Sequence, residues 1–464
     1  MAEDLCGLSA GELGSAYRDR RLSPVEVTKA VLARVEACEP RLNAMYLVQA
    51  EQALEQARAS ERRWQQSAPL SALDGVPITI KDNVATRGTP TPVGTAAGDT
   101  TSAAAEDAPP AARVREAGCV MLGKTTMPDF GMLCSGMSSL HGTTRNPWDL
   151  SRNTGGSSSG AAAAVAGGYG PLALGTDIGG SVRLPAAYCG IVALKPSLGR
   201  VPIHPPYFGR VTGPMTRTVE DTALLMDILK QPDDRDFMNL PPEPEPYAGD
   251  PAAALKGKRI GLMLDVGTGT KPTEEVRVAV EAAARAFEQA GAIVEPVGPI
   301  MDARIMDGLN RFFQTRSCSD LLKMDPARQA KVLPFIRAWC LPAVRWSAVD
   351  FFEALNCIFE MRERAVKATV QHDFLLSPTS PIPAYEAEAP CPGSDPSRPF
   401  EHICFTAPFN QSEQPAASVP CGFTGDGLPI GLQIVGHRFD DRGVLQMARA
   451  WEELRPAMRA WPSL

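Results

Sequence analysis

The chain has 464 residues, 44% hydrophobic and 21% charged, close to the averages of globular proteins, which excludes a disordered, collagen-like or fibrous chain. Lys plus Arg number 46 against 53 Asp plus Glu, a formal net charge of −7 that argues against a nucleic-acid binder, so no nucleic-acid partner is expected. Eleven scattered Cys with no C-x-x-C pair give no support to a zinc or redox site and fit small core residues in a reducing cytoplasm.

The N-terminus lacks a basic start followed by an apolar core and does not read as a signal peptide. Residues 8–60 read as helical, with a capping box at Ser23-Pro24-Val25-Glu26 and Pro at the first helical position. After a turn at Asp74-Gly75 comes a short β-rich run, 76–80, ending at Lys81. An Ala-, Thr- and Pro-rich loop spans 86–110, and AARVREAGCVMLGKT predicts a helix, a Gly turn and a strand. Residues 141–160 read as turn, 161–168 as a small-residue helix, and LALGTDIGGS and GIVALKPS as strands. The weakly polar stretch 160–175 is too short for a membrane span, so no membrane partner is expected.

Residues 232–252 are acidic and Pro-rich and read as a surface excursion. Beyond it, KRIGLML, a helix near 273–290 and AIVEPV form a βαβ-like unit. Residues 305–370 read as mostly helical and rich in aromatics, and the last hundred residues return to strands at DFLLSP, AASVPCG and GLQIVG. The βαβ rhythm resumes on both sides of the excursion, so 1–464 is expected to be a single α/β unit.

Five His, at 141, 204, 372, 402 and 437, show no triad or metal spacing. A hydrolase built on this chain must find its base elsewhere. The informative block is Gly155-Gly156-Ser157-Ser158-Ser159-Gly160 followed by Gly175-Thr176-Asp177-Ile178-Gly179-Gly180-Ser181-Val182-Arg183. A Gly-rich turn presents successive backbone N–H groups, which an oxyanion hole requires. A Ser closing such a turn can act as nucleophile, and a second Ser with a neutral, buried Lys can activate it. Lys81 follows an apolar run, consistent with burial. Each piece alone is common, since Gly-Gly-Ser turns abound and a lysine after a strand is usually a solvated end. Residues 156–160 also match the G-x-S-x-G nucleophile elbow, but that motif needs a strand immediately before it and RNPWDLSRNT reads as turn. A phosphate loop fits less well, because no Gly-Lys-Ser/Thr closes the run.

Taken together these blocks resemble the amidase signature family. GGSSSGAAAAVAGGYGPLALGTDIGGSVRLPAAYCGIVALKPSLGRV is similar to its signature region, and LDGVPITIKDNV to its lysine strand. RNPWD, GPMTRTVEDTALLMDIL, LLSPTSPIPA and PAASVPCGF resemble further recurring blocks, with the likeness thinning over 232–375. The resemblance implies an α/β/α sandwich around a large mixed, twisted sheet, with no metal and no organic cofactor. It implies Ser181 as the acylated nucleophile, Ser157 as the bridge to the base Lys81, and a cis Gly156–Ser157 peptide. The N–H groups of Ile178, Gly179, Gly180 and Ser181 would hold the oxyanion, with Asp177 and Arg183 either supporting that loop or forming a simple structural ion pair. One departure is visible: the family usually carries Gly-Gly-Ser-Ser-Gly-Gly, whereas Ser159 and Gly160 fill the last two places here.

The triad fixes a reaction class, cleavage of a small amide-type bond, and leaves the substrate open. By the family pattern, the variable segment 300–375 contributes to the substrate pocket, and Tyr207 and Phe208 line its entrance. Aromatics near 305–355 suit an apolar or aryl amide, although most are expected to be helix core. Three functions follow. The first is a free-standing amidase, extending to anilides, carbamates or allophanate-like compounds that would want an Arg such as Arg210 or Arg316. The second is the glutaminase subunit of a tRNA-dependent amidotransferase. The third is a non-catalytic binding relative, disfavoured by the intact triad. Family members often form homodimers.

Overall fold

The computed structural model describes residues 4–464. Eleven strands join in one mixed sheet. In chain order they are β1 (Met45–Val48), β2 (Pro77–Lys81), β3 (Val120–Thr125), β4 (Leu172–Asp177), β5 (Val192–Lys195), β6 (Val211–Thr216), β7 (Arg259–Leu262), β8 (Ile293–Pro296), β9 (Phe374–Pro378), β10 (Ala416–Phe423) and β11 (Pro429–Val435). Their order across the sheet is β1-β3-β2-β4-β6-β5-β10-β11-β9-β7-β8. β2 runs parallel to β3 and β4, β7 runs parallel to β8 and β9, and the strands between β4 and β9 pair antiparallel.

Strand alternation explains why the sheet is apolar on both faces. Phe374 and Leu376 enter one core cluster while Leu375 enters the other; Ala417 and Val419 likewise separate from Ala416. The larger cluster packs under the helices Pro24–Leu42, Val219–Leu229, Glu274–Gln289 and Asp441–Leu454. The second gathers the helices Ala303–Leu322, Pro334–Cys340 and Ala348–Thr369. The helix Ser159–Gly167 has nine buried residues, mostly Ala and Gly, whose short side chains let it approach β2 and β4 closely. All eleven cysteines are free, ten of them buried. Among the described residues no helix is long and apolar enough to cross a membrane.

Three local expectations differ from what forms. Residues 45–48, read as helix, make edge strand β1, because they pair antiparallel with β3. Ser23 caps its helix by accepting from Val25 N–H at 3.0 Å, but its hydroxyl turns to Glu61 and not Glu26; the reciprocal box forms instead at Ser9 and Glu12. The stretch 145–153, read as turn, holds a short hairpin, Arg145–Asn146 against Asp149–Asn153. Residues 232–252 carry no helix or strand, yet Tyr247 inserts into the core with Lys230 and Arg442 over its ring at 3.9 and 5.0 Å.

Candidate active site

Lys81 closes β2, all five residues of which are buried. Ile80 pairs with Leu174 of β4, so the lysine emerges next to Thr176. Its Nζ lies 2.8 Å from Ser157 Oγ, 2.9 Å from Ser158 Oγ and 2.9 Å from Thr176 Oγ1. Burial pushes the Lys81 pKa down to about 7; Asp177 and Asp82 oppose the shift and Arg210 adds to it. The amine is thus poised near neutrality, the condition for a base at ordinary pH.

Ser157 follows Gly156 through a cis peptide bond. Ser158 N–H donates to Ser181 O at 3.2 Å, tying the two serine loops together. Ser157 and Ser181 are nearly buried and line the same cleft of about 330 Å3. Among the described residues their hydroxyls share no direct hydrogen bond; such contacts often close only around substrate.

Asp177 organises the loop that carries Ser181. Gly180 N–H donates to its Oδ1 at 2.6 Å and Val182 N–H to its Oδ2 at 3.1 Å. Gly180 sits at φ 129°, and a Cβ there would lie 2.4 Å from Thr406 Oγ1, so glycine is required. The expected oxyanion donor Gly180 therefore has its N–H committed to a carboxylate. Among the described residues, the N–H groups of Ile178, Gly179 and Ser181 have no such partner.

Behind this loop Arg183, fully buried, donates from Nε and Nη2 to the two oxygens of Asp177 at 3.0 and 3.1 Å. Its remaining donors reach Thr406 O, Gln433 Oε1 and Asn410 Oδ1, and Asn410 Nδ2 returns a bond to Asp177 at 2.9 Å. Burial alone would raise the Asp177 pKa; the Arg183 charge and these hydrogen bonds overcome it and hold the carboxyl well below its usual range. The pair is satisfied on every side, which a buried ion pair needs to persist.

Two spaces meet at Ser181. The cleft is mixed, with Asn83, Thr176, His204, Arg210, Arg316 and Asp320 in its lining beside Ala85, Val93, Met127 and Phe130. A narrow, mostly apolar slot of about 30 Å3 opens past Ile178 and Gly179 between Met132, Cys134, Phe313, Trp339, Phe400 and Ile403, with Arg316 and Ser317 at its border. A larger cavity, about 450 Å3, lies elsewhere beside Trp148, Arg217 and Trp461 and contains none of the expected residues, so size does not identify the site.

The structure brings Ser157, Ser181 and Ile178 to one cleft, with Lys81 buried behind Ser157 and Gly179 on the slot, and Gly156, Asp177, Gly180 and Arg183 stand around them. Tyr207 and Phe208 are set one layer back. Arg210 and Arg316 stack on the Tyr207 ring at 5.5 and 4.8 Å, and Phe208 meets Phe312 edge-on at 6.5 Å. Of the aromatics at 305–355, Phe313 and Trp339 face the slot, and Phe312 and Phe351 stack with each other at 6.2 Å. Sequence reasoning missed Thr176 and Ser158 as partners of Lys81, although both lie in the informative block and the β2–β4 pairing places one of them. Asn410 and Gln433 carried no sequence signal, being 227 and 250 residues from Arg183.

The nucleophile-elbow alternative fails on geometry. The hairpin before Gly156 stands outside the main sheet. The motif's central serine, Ser158, is fully buried, accepts from Lys81 and Thr176 N, and donates to Thr176 O at 3.2 Å. Ser159, at the departure from the family pattern, points away, 3.5 Å from Thr126 O. A Cβ on Gly160 would lie 2.2 Å from Ala44 O, so only glycine fits there. Among the described residues no group of His, Cys, Asp and Glu could hold a metal ion.

Comparison with known proteins gives the same frame. The Amidase family model matches residues 26–445. The chain is 35% identical to a glutamyl-tRNA(Gln) amidotransferase subunit of Myxococcus xanthus, over 97% of both chains. It is 34% identical to an acylamidase of Rhodococcus erythropolis, over 98% of this chain and 97% of that one. A bacterial aryl acylamidase of the amidase signature family superposes with a TM-score of 0.89 at 30% identity, over 96% of both chains.

Proposed function

This chain belongs to the Amidase family of hydrolases acting on carbon–nitrogen bonds, and we propose that it cleaves a small amide with an apolar or aryl acyl group through an acyl-enzyme on Ser181. The observation that carries this reading is Lys81, buried, near-neutral and 2.8 Å from Ser157 in the cleft that Ser181 lines.

Hydrogen-bond arithmetic supports the base. A neutral amine has two N–H donors and one lone pair. Ser158 donates to Thr176 O and Thr176 Oγ1 donates to Asn83 Oδ1 at 3.3 Å, so both hydroxyls are left as acceptors for the two N–H groups. The lone pair then faces Ser157. Ser181 Oγ attacks the carbonyl carbon and passes its proton to Ser157, while the Ser157 proton moves to Lys81. The oxyanion is met by the uncommitted N–H groups of Ile178 and Gly179, with that of Ser181 beside them. Collapse breaks the C–N bond, and the amine leaves with a proton from Ser157, replaced from Lys81. Water then takes the same route onto the acyl carbon, regenerating Ser181.

A second reading, the glutaminase subunit of a tRNA-dependent amidotransferase, draws support from the Myxococcus relative. The slot weighs against it: a glutamyl head carries two charges, and Arg316 is the one charged side chain in that lining. The test is ammonia or amine release by the purified chain alone on glutamine, aliphatic amides, aryl amides, anilides and carbamates, with Ser181→Ala as blank. Turnover of apolar or aryl amides is expected. Hydrolysis of glutamine alone, or of nothing, would move the assignment to the amidotransferase component.

A further inference from the structure

Two arginines in the cleft touch none of the reacting atoms in the chemistry above, although the Arg210 charge helps hold the Lys81 pKa down. Arg210 and Arg316 both line the space shared by Ser157 and Ser181, Arg316 at the border where that space meets the slot. Among the described residues neither forms a salt bridge, and Asp320, the carboxylate beside them in the lining, is already paired with Lys323 at 2.8 Å. The hydrogen bond that Arg210 does make goes to the carbonyl of Pro205. Tyr207 holds both guanidiniums on its ring, at 5.5 and 4.8 Å. Burial and then the neighbouring Arg316 charge push the Arg210 pKa down to about 10. Asp236 and Asp320 act on Arg210 only from beyond salt-bridge distance, so the two cations on one ring repel each other, and an anion between them relieves that repulsion while taking up their free N–H donors.

The cleft also has a direction. The departing amine must receive its proton from Ser157, and Ser157 opens to the cleft and not to the slot. The acyl group therefore takes the slot past Ile178 and Gly179, and the amine half of the substrate extends into the cleft. Resting on the acyl-enzyme reading of Ser181, we propose that Arg210 and Arg316 form a carboxylate subsite for the leaving group, so that the preferred substrates are N-acyl amino acids with an apolar or aryl acyl chain. Tyr207 is the positioning residue that holds the two guanidiniums.

The experiment compares matched substrates on the full chain. Phenylacetyl-glycine carries the carboxylate on the amine; N-propyl-phenylacetamide is its neutral counterpart; the N-propyl monoamide of succinic acid carries the carboxylate on the acyl side. Amine release should favour phenylacetyl-glycine over the neutral amide by roughly 10- to 100-fold in kcat/KM, as expected for charge-assisted hydrogen bonds. Arg316→Gln and Arg210→Gln should each erase most of that ratio, chiefly through KM, and the Lys variants should restore part of it. Titration of phenylacetyl-glycine into Ser181→Ala reads the subsite without turnover and should show binding that Ser181→Ala/Arg316→Gln loses. Equal cleavage of the first two substrates, with a ratio the Arg variants do not move, overturns the subsite and leaves the amidase reading standing. Preference for the succinyl amide overturns the assigned direction. Cleavage of none of the three, with no binding to Ser181→Ala, removes both the subsite and the amidase reading.

Discussion

Replacing Lys81 by methionine should destroy activity and stabilise the protein, with a stabilisation that depends on pH. The folded chain holds this lysine at a pKa of about 7 against an ordinary 10.5, chiefly because burial disfavours the charged form. In the unfolded chain the amine binds its proton up to about pH 10.5. Between those two values the unfolded state carries more protons, so stability rises with pH across the window, and the full penalty is felt below pH 7. At about 1.4 kcal/mol per pH unit the penalty is on the order of 4–5 kcal/mol. Methionine fills a similar volume without a charge. It forfeits the hydrogen bonds to Ser158 and Thr176, each worth about 1 kcal/mol, so the net gain expected at pH 6 is about 1–3 kcal/mol. Unfolding entropy scaled to a chain of 464 residues is about 1 kcal/mol/K, which makes this a rise of about 1–3 °C in Tm. Thermal unfolding of both proteins at pH 6, 7.5 and 9.5 reads the difference, and the buried Lys124 and Lys195, common to both, cancel. The gap should be largest at pH 6 and close toward pH 10. A variant that is less stable at pH 6, or a gap that stays constant with pH, would refute the account of Lys81 as a lysine kept neutral by burial.

Ser181→Ala should lower turnover by at least about 1000-fold while leaving Tm within about 1 °C, read by amine release and thermal unfolding; retained activity would remove Ser181 as nucleophile. In the wild type, kcat/KM should climb about tenfold per pH unit below 7 and level off above it, because the active form is the deprotonated amine; a flat profile from pH 5 to 9 would falsify the base assignment. Arg183→Met should leave Asp177 charged and unpaired in the core, costing about 3–5 kcal/mol. It should lower Tm by several degrees and reduce kcat, since Asp177 holds Gly180 N–H in place; an unchanged Tm would show the pair to be dispensable.

Much of the site was legible because its parts are local. The Gly-rich turn before Ser181, the serine pair at 157–158 and the apolar run ahead of Lys81 each state a backbone or burial requirement in a few residues. Strands that alternate or run apolar were legible for the same reason. The edge strand at 45–48 was not, because its helical neighbours give it the same composition and only pairing with β3 decides the outcome. The capping box expected at Ser23 was not legible either, because the Ser23 hydroxyl donates to Glu61, 38 residues away in sequence, and accepts from Val25 N–H.

By itself the sequence determined the chemical inventory: two serines on Gly-rich turns, a lysine after an apolar run, no histidine in a triad spacing, and the glycines of the turns. Tertiary structure decided what that inventory faces. Folding set Lys81 among three hydroxyls and committed Gly180 N–H to Asp177. It also divided the space at Ser181 into a mostly apolar slot and a cleft, with Arg210 in the cleft and Arg316 at the border of the two. The reason is physical. Backbone conformation and burial are specified by neighbours a few residues apart, whereas a pKa, a free N–H or an unpaired guanidinium depends on groups such as Asn410 and Gln433 that only the sheet and its crossing helices bring within hydrogen-bond reach.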